Sequence, residues 1–306
     1  MDGGPRRVDV TPPSPPAGER GERARVTTSD GFVLGAQVFA PAEAPRAIAV
    51  VAPAMAVLQR VYRAFAGTLA SRGIATVTFD YRGVGESKPP TLRGFHATAT
   101  DWARLDLPAA IDFARERFGA STPTFLVGHS IGGQILGLCP RAPSLTGAVL
   151  VAAQSGYWKN WSGAPRALMF LHWHLMPLVA RAAGYLPMAA VRQGENVPLG
   201  VALEWASWGR HPRYILSSPY AEHDSLEIPI RAYLISDDAL APPASVRALV
   251  DFHARAPIEL KELRPAELGT RAIGHFGIFR REFKSTFHEE VAEWILARSG
   301  GKRDAS

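Results

Sequence analysis

Ser130 is the residue whose surroundings point most directly to chemistry. It lies in the run Gly128-His129-Ser130-Ile131-Gly132-Gly133, after the apolar segment Thr124–Val127 and ahead of a helical pattern. A Gly-x-Ser-x-Gly run acquires meaning in that strand–turn–helix context. The turn is sharp, and Gly128 and Gly132 leave room where side chains would strike the adjoining strand and helix. The hydroxyl then projects beyond the strand end. The free amide of Ile131 and the following helix N-terminus favour negative charge developing beside it. A serine capping a glycine-rich turn is the bland alternative, and the surrounding elements disfavour it.

A serine hydroxyl is a weak nucleophile until a base takes its proton. Of nine histidines, His275 stands out in Gly274-His275-Phe276-Gly277. Small neighbours there let an imidazole reach across a mobile-looking turn. The base needs a carboxylate to hold its tautomer and stabilise the imidazolium. Asp238 follows the apolar run Ile230–Ile235 in Ser236-Asp237-Asp238-Ala239-Leu240-Ala241-Pro242. Asp237 is its rival. The same pattern is also an ordinary cap ahead of a proline-started helix.

These groups need a scaffold. Strands are expected at Phe32–Phe39, Ala47–Ala52, Ile74–Phe79, Thr124–Val127, Ala148–Ala152, Ile230–Ile235 and Ile258–Leu260. The central ones are almost continuously apolar, as strands buried on both faces of a parallel sheet are. Helical patterns lie between them at Arg60–Ser71, Trp102–Phe118, Ile131–Leu138 and Ser245–Ala254, and a last one covers Arg281–Arg298. Pro108 should kink its helix or restart it. The alternation points to an α/β fold, mostly parallel, with helices on both faces. Each of the three candidate residues then sits past the C-terminal end of a strand, the edge where open parallel sheets bind ligands.

The rhythm breaks at residues 155–226, where no strand pattern appears. Five of the seven tryptophans fall there: Trp158, Trp161, Trp173, Trp205 and Trp208. A structureless loop of that length is improbable inside a compact domain, so we expect an inserted helical cap. The core is then 23–154 with 227–299. Residues 1–22, rich in Pro, Gly and charge, read as a disordered tail without the apolar stretch of a secretion signal. The tryptophans fit either an apolar acyl site or, with more weight, the cap's own core.

Composition excludes several classes. The chain has 306 residues, 47% apolar and 20% charged, which argues against global disorder and coiled coil. Its net charge of +6 comes from scattered arginines, so nucleic acid is not an expected partner. The single cysteine, Cys139, rules out an internal disulfide and reads as a small buried group. His172 and His174 do not share a helix face, so no metal and no cofactor are expected. No apolar run is long enough to span a bilayer, and a cytoplasmic location is the simplest expectation. Contact of Leu168–Leu186 with a membrane surface is disfavoured, because only Arg181 is charged within it and interfacial helices usually carry several basic residues.

The order Ser130, Asp238, His275 resembles that of the α/β-hydrolases. The resemblance covers roughly Thr28 to Ala297. It includes Phe79-Asp80-Tyr81-Arg82-Gly83-Val84-Gly85-Glu86-Ser87, similar to a D-x-R-G-x-G-x-S loop of capped members with a bracing role. Gly274–Arg280 and Gly156-Tyr157-Trp158-Lys159-Asn160-Trp161 resemble a narrower bacterial group of that superfamily. Many relatives carry His-Gly where this chain has Ala52-Pro53-Ala54-Met55-Ala56. The resemblance implies a backbone oxyanion donor there, from Ala54 or Met55, beside the Ile131 amide. Its implied activity is hydrolysis of a carboxylic ester or thioester of a small or apolar acyl substrate through an acyl-enzyme, with loss of activity below pH about 6–7 as imidazole protonates. Acyl transfer on the same residues, or a low-turnover binding protein, are the alternatives. The acyl chain, leaving group and oligomeric state stay open.

Overall fold

The computed structural model of the chain describes residues 21–191 and 194–300. Its strands are β1 (Glu22–Thr27), β2 (Val33–Phe39), β3 (Ala47–Ala52), β4 (Ile74–Phe79), β5 (Thr124–His129), β6 (Gly147–Val151), β7 (Tyr185–Leu186), β8 (Val197–Pro198), β9 (Ile230–Ile235) and β10 (Ile258–Leu263). β7 and β8 pair with each other, and the remaining eight form one sheet in the order β1-β2-β4-β3-β5-β6-β9-β10. β1 and β2 run antiparallel to each other and β2 to β4, while every other pairing in that sheet is parallel.

The strands from β3 to β6 have no exposed residue. Along β3, Ile48, Val50 and Ala52 enter one apolar core, and Ala47, Ala49 and Val51 enter the other, as the two-residue period of a strand requires. The helices are α1 (Arg63–Ser71), α2 (Ala99–Asp101), α3 (Leu107–Phe118), α4 (Ile131–Gln134), α5 (Gly163–Ala183), α6 (Leu199–Arg210), α7 (Pro243–Val250), α8 (Gly274–Gly277) and α9 (Glu289–Ser299). Phe65 of α1 and Val291 and Trp294 of α9 fill one core, and Leu107, Ile111 and Ala114 of α3 fill the other.

The expected strands all appear, some with shifted limits, and three were missed: β1 and the short pair β7 and β8, which lies inside the stretch read as free of strands. β1 buries only Val26 well, because it is an edge strand of charged and small residues. The tail expected over 1–22 lies outside the described residues except at its end, where Glu22 already belongs to β1. The last strand runs on to Leu263 along a second, charged edge that alternates partly buried and exposed residues.

The helices differ more. A wide five-residue turn at Trp102–Asp106 joins α2 to α3, with the Leu107 amide bonded back to the Trp102 carbonyl. It carries the chain into Pro108, whose ring bears no N–H. The stretch expected as one helix over Ile131–Leu138 tightens after Gln134 into a 3₁₀ turn. At that point His223 donates Nε2–H to the Gln134 carbonyl (2.8 Å). The final expected helix begins instead as a 3₁₀ turn and a wide turn, and α9 proper starts at Glu289.

Between β6 and β9 the chain forms α5, α6 and the small β7–β8 hairpin. Trp173, Met176 and Ala180 of α5 and Val201, Ala202 and Trp208 of α6 belong to the same apolar core as one face of the sheet. Pro177 lies inside α5, and it leaves the carbonyl four residues back without its helical donor. That carbonyl, of Trp173, accepts instead from Arg210 Nη1 of α6 (2.5 Å).

Candidate active site

Ser130 sits between the end of β5 and the start of α4 with φ 51° and ψ −118°, in the left-handed half of backbone space. The glycines beside it are required by contact. A Cβ on Gly132 would lie 2.2 Å from the Ala52 carbonyl oxygen, and one on Gly128 2.5 Å from Gly133 Cα. The Ser130 amide bonds to the Val151 carbonyl (2.9 Å), so the turn is tied to the neighbouring strand. Two more residues that are not glycine have positive φ at this edge, Ala56 (61°) after β3 and Ala152 (48°) after β6. Backbone strain of this kind persists only where surrounding contacts over-determine it.

His275 is not on a loose turn. It belongs to α8 and is buried. Its Nδ1–H donates to Asp238 Oδ2 at 2.6 Å, which leaves Nε2 as the ring's acceptor. The other oxygen of Asp238, Oδ1, accepts from the amides of Leu240 (2.8 Å) and Ala241 (3.0 Å). Asp237 is used differently. Its two oxygens accept the amides of Ile273 (2.9 Å) and Gly274 (3.1 Å), so it clamps the segment entering α8 and makes no bond to the His275 ring.

A second chain of hydrogen bonds runs behind these residues. His129 Nε2 lies 2.9 Å from the His275 carbonyl. A carbonyl only accepts, so His129 carries its proton on Nε2 and presents Nδ1 as an acceptor. Tyr62 O–H donates to that Nδ1 (2.8 Å), and the tyrosine oxygen in turn accepts the Ala54 amide (2.9 Å). Burial pushes the His129 pKa well below the usual histidine range, and nearby His275 adds to the shift, so the ring is neutral in the fold. One proton-ordered chain thus links the loop after β3, the turn before α1, the nucleophile strand and α8. It also commits the Ala54 amide. Of the two donors the sequence left open, Ala54 is turned to Tyr62, whereas the amides of Met55 and Ile131 have no hydrogen-bond partner among the described residues.

The Ser130 hydroxyl faces Gln154 Oε1 at 3.5 Å, a long bond that leaves it free to turn. Its ring neighbour His129 lies 5.1 Å, centroid to centroid, from His275. Gln154 Oε1 accepts from Gln134 Nε2 (2.9 Å), Gln134 Oε1 from Tyr214 O–H (2.7 Å), and the tyrosine oxygen from Trp205 Nε1 (2.9 Å). Sequence reasoning missed Tyr62, Gln134, Gln154 and Tyr214. Only Gln154 carried a signal, as a polar residue just past an apolar strand at the edge where the other candidates gather.

The Asp80 segment braces the same edge. Asp80 Oδ1 accepts the Gln59 amide (2.7 Å) and Oδ2 the Glu86 amide (2.9 Å). Buried Arg82 donates Nε–H to Asp106 (2.6 Å) and Nη1–H to Asp30 (2.8 Å). The tryptophans act mainly as packing. Trp161, Trp173 and Trp208 are buried, and the indoles of Trp161 and Trp173 donate to the carbonyls of Ala239 and Gly156. Cys139 is buried, and burial pushes its thiol up to about 12. No group of three or more His, Cys, Asp or Glu side chains fit to hold a metal occurs among the described residues.

The family described as serine aminopeptidase, S33, matches residues 43–251. No curated protein matches the chain. Solved structures do. An esterase from Pyrococcus furiosus is 16% identical, covers 92% of this chain and 92% of its own, and superposes with a TM-score of 0.62. A soluble variant of monoglyceride lipase from Saccharomyces cerevisiae, in complex with a substrate analogue, is 14% identical over 97% of this chain and 99% of its own (TM-score 0.62). A thermostable carboxyl esterase from Bacillus coagulans is 12% identical over 91% and 98% (TM-score 0.59). At these identities the likeness shows the fold, and the fold is that of the α/β-hydrolases.

Proposed function

The chain belongs to the serine aminopeptidase S33 family of α/β-hydrolases, and from that premise we propose that it is a serine hydrolase of carboxylic esters or thioesters of small or apolar acyl groups. The observation that carries the proposal is the 2.6 Å bond from His275 Nδ1 to Asp238, with Ser130 on a strained elbow at the same sheet edge. In this reading Ser130 turns from Gln154 to His275, which takes its proton through Nε2 as the oxygen attacks the carbonyl carbon. The amides of Ile131 and Met55 receive the oxyanion. His275 then protonates the leaving oxygen or sulfur, and water, deprotonated by His275, releases the acyl group and restores Ser130. Asp238 orients the imidazole in each step.

Esters are favoured over peptides by the structural neighbours, which are named for esterase and lipase activity. In the same reading, residues 155–226 form the cap over the site.

Labelling with a fluorophosphonate, followed by peptide mapping, tests the nucleophile. Modification is expected at Ser130 alone, and the Ser130→Ala variant should neither label nor turn over p-nitrophenyl butyrate. Turnover unchanged in that variant would remove Ser130 from the mechanism. Cleavage of aminoacyl p-nitroanilides in preference to esters would move the substrate class to peptides.

A further inference from the structure

Gln154 shows Ser130 an oxygen rather than an NH₂ group, and the reason lies at the far end of a chain of hydrogen bonds. The indole of Trp205 on α6 can only donate, so the Tyr214 oxygen accepts from it at 2.9 Å. The Tyr214 O–H then donates to Gln134 Oε1 (2.7 Å). That turns Gln134 Nε2 towards Gln154 Oε1 (2.9 Å) and leaves Gln154 Nε2 on the Leu240 carbonyl (3.4 Å). Reversing both amides would set the Tyr214 O–H against an NH₂ group and the Gln154 oxygen against the Leu240 carbonyl oxygen, acceptor on acceptor. Tyr214 and Gln134 are wholly buried, so solvent does not relieve the mismatch between them. The amide oxygen of Gln154 is thus held beside the nucleophile from both ends of the chain.

That oxygen has two lone pairs. One takes Gln134 Nε2 and the other the Ser130 O–H, at 3.5 Å. In the mechanism proposed for Ser130 and His275, on which this step depends, the hydroxyl leaves Gln154 as it turns to the imidazole. The second lone pair is then bare. Gln154 and Ser130 are only 5% and 4% exposed, so the replacement donor comes from the molecule that occupies the site. An acceptor 3.5 Å from the attacking oxygen is within reach of a group one or two bonds from the carbonyl carbon under attack. A buried oxygen so placed favours a substrate that brings it a hydroxyl or an N–H over one that leaves it unpaired.

We propose that Gln154 Oε1 is a substrate subsite, and that the preferred esters carry a hydrogen-bond donor next to the scissile carbonyl, on the acyl group or on the alcohol. This narrows the class of small acyl esters to those with a hydroxyl or N–H at that place. Gln154 is the residue that touches the donor. Gln134, Tyr214 and Trp205 are positioning residues, which keep its oxygen facing the site.

The test uses matched esters. Ethyl 2-hydroxybutyrate and ethyl 2-methoxybutyrate probe the acyl side, and 2-hydroxyethyl butyrate and 2-methoxyethyl butyrate the alcohol side. Each ether keeps the oxygen's electron withdrawal and removes its O–H. Hydrolysis is followed by pH-stat, with p-nitrophenyl butyrate as the reference. In one pair the hydroxy ester is expected to exceed the ether by about tenfold or more in kcat/KM, and that pair tells which side of the carbonyl meets Gln154. Gln154→Met, similar in length and without an amide oxygen, should bring the ratio to within about twofold; Gln154→Leu takes its place if the Met variant does not fold. Wild-type ratios within about twofold for both pairs, with p-nitrophenyl butyrate turned over and that turnover lost in Ser130→Ala, overturn the subsite and leave the nucleophile standing. A preference that survives in Gln154→Met overturns its assignment to Gln154. No turnover of any of these esters, the reference included, brings down the mechanism and the subsite together.

Discussion

Asp238→Asn should be nearly silent in stability and severe in rate, and the reason is the set of donors around the carboxylate. Oδ1 receives two amides, from Leu240 and Ala241, and Oδ2 one imidazole N–H. An asparagine brings one oxygen and one NH₂ group. Facing its oxygen to the two amides keeps both bonds, whereas the opposite setting drives NH₂ into two N–H groups. The NH₂ group therefore meets His275 Nδ1, which can accept it only by moving the ring proton to Nε2. The ring then presents N–H to Ser130 and cannot take its proton. Loss of the tautomer alone costs about 10⁴ in kcat, or about 5.4 kcal/mol of barrier at 1.36 kcal/mol per tenfold. All three hydrogen bonds survive, so the melting temperature should stay within about 2 °C, less than 1 kcal/mol for a chain of this size. Asp238→Ala is the contrast. It leaves three donors without an acceptor, of which the Ala241 amide and the His275 N–H are buried, at about 1–3 kcal/mol for each buried one, so it should lose both rate and stability. The assay is kcat and KM on p-nitrophenyl butyrate beside calorimetric melting of both variants. An Asp238→Asn enzyme within tenfold of the wild-type kcat, or a larger loss from Asp237→Asn, would refute the assignment.

Tyr62→Phe removes the donor to His129 Nδ1 and the acceptor of the Ala54 amide. Two orphaned buried groups should together cost about 2–6 kcal/mol, a fall in melting temperature of roughly 4–20 °C; an unchanged melting temperature would mean that the chain from Ala54 to His275 carries no energy. His223 and His253 are buried and neutral, their pKa values pushed down by burial to about 4 and about 3. The unfolded chain protonates them near pH 6.5, so it binds more protons than the fold as pH drops. Their contribution is complete above pH 6.5 and is lost as pH falls towards 4 and then 3. His223→Leu should flatten the slope of unfolding free energy between pH 6.5 and 4 by up to about 3 kcal/mol, measured from denaturant midpoints at stepped pH. A slope identical to that of the wild type would exclude His223 as its source.

Most of the sheet was legible because β3 to β6 are buried on both faces and so carry no polar alternation to mislead. β1 was not, because an edge strand is held by backbone pairing to β2 rather than by burial, and its residues look like those of a tail. The nucleophile elbow was legible for a local reason, since its glycines answer to clashes within five residues and with β3. Tyr62 was invisible because its partners, Ala54 and His129, meet it only once β3, β5 and α1 are packed. The choice between Asp237 and Asp238 was equally closed to sequence. Neighbours on one turn, they point opposite ways, one to the backbone entering α8 and one to the imidazole.

Three residues with left-handed backbone, Ala56, Ser130 and Ala152, follow the ends of β3, β5 and β6, the edge of the sheet that carries the candidate site. An L-residue held in such a conformation costs on the order of 1–3 kcal/mol, which glycine would largely avoid. Directed evolution for heat resistance alone would therefore drift towards glycine at Ala56 and Ala152, slackening the loops that aim Met55 and Gln154. A library screened by survival on heating would enrich sturdier proteins that work less well, so its selection has to score turnover in every round.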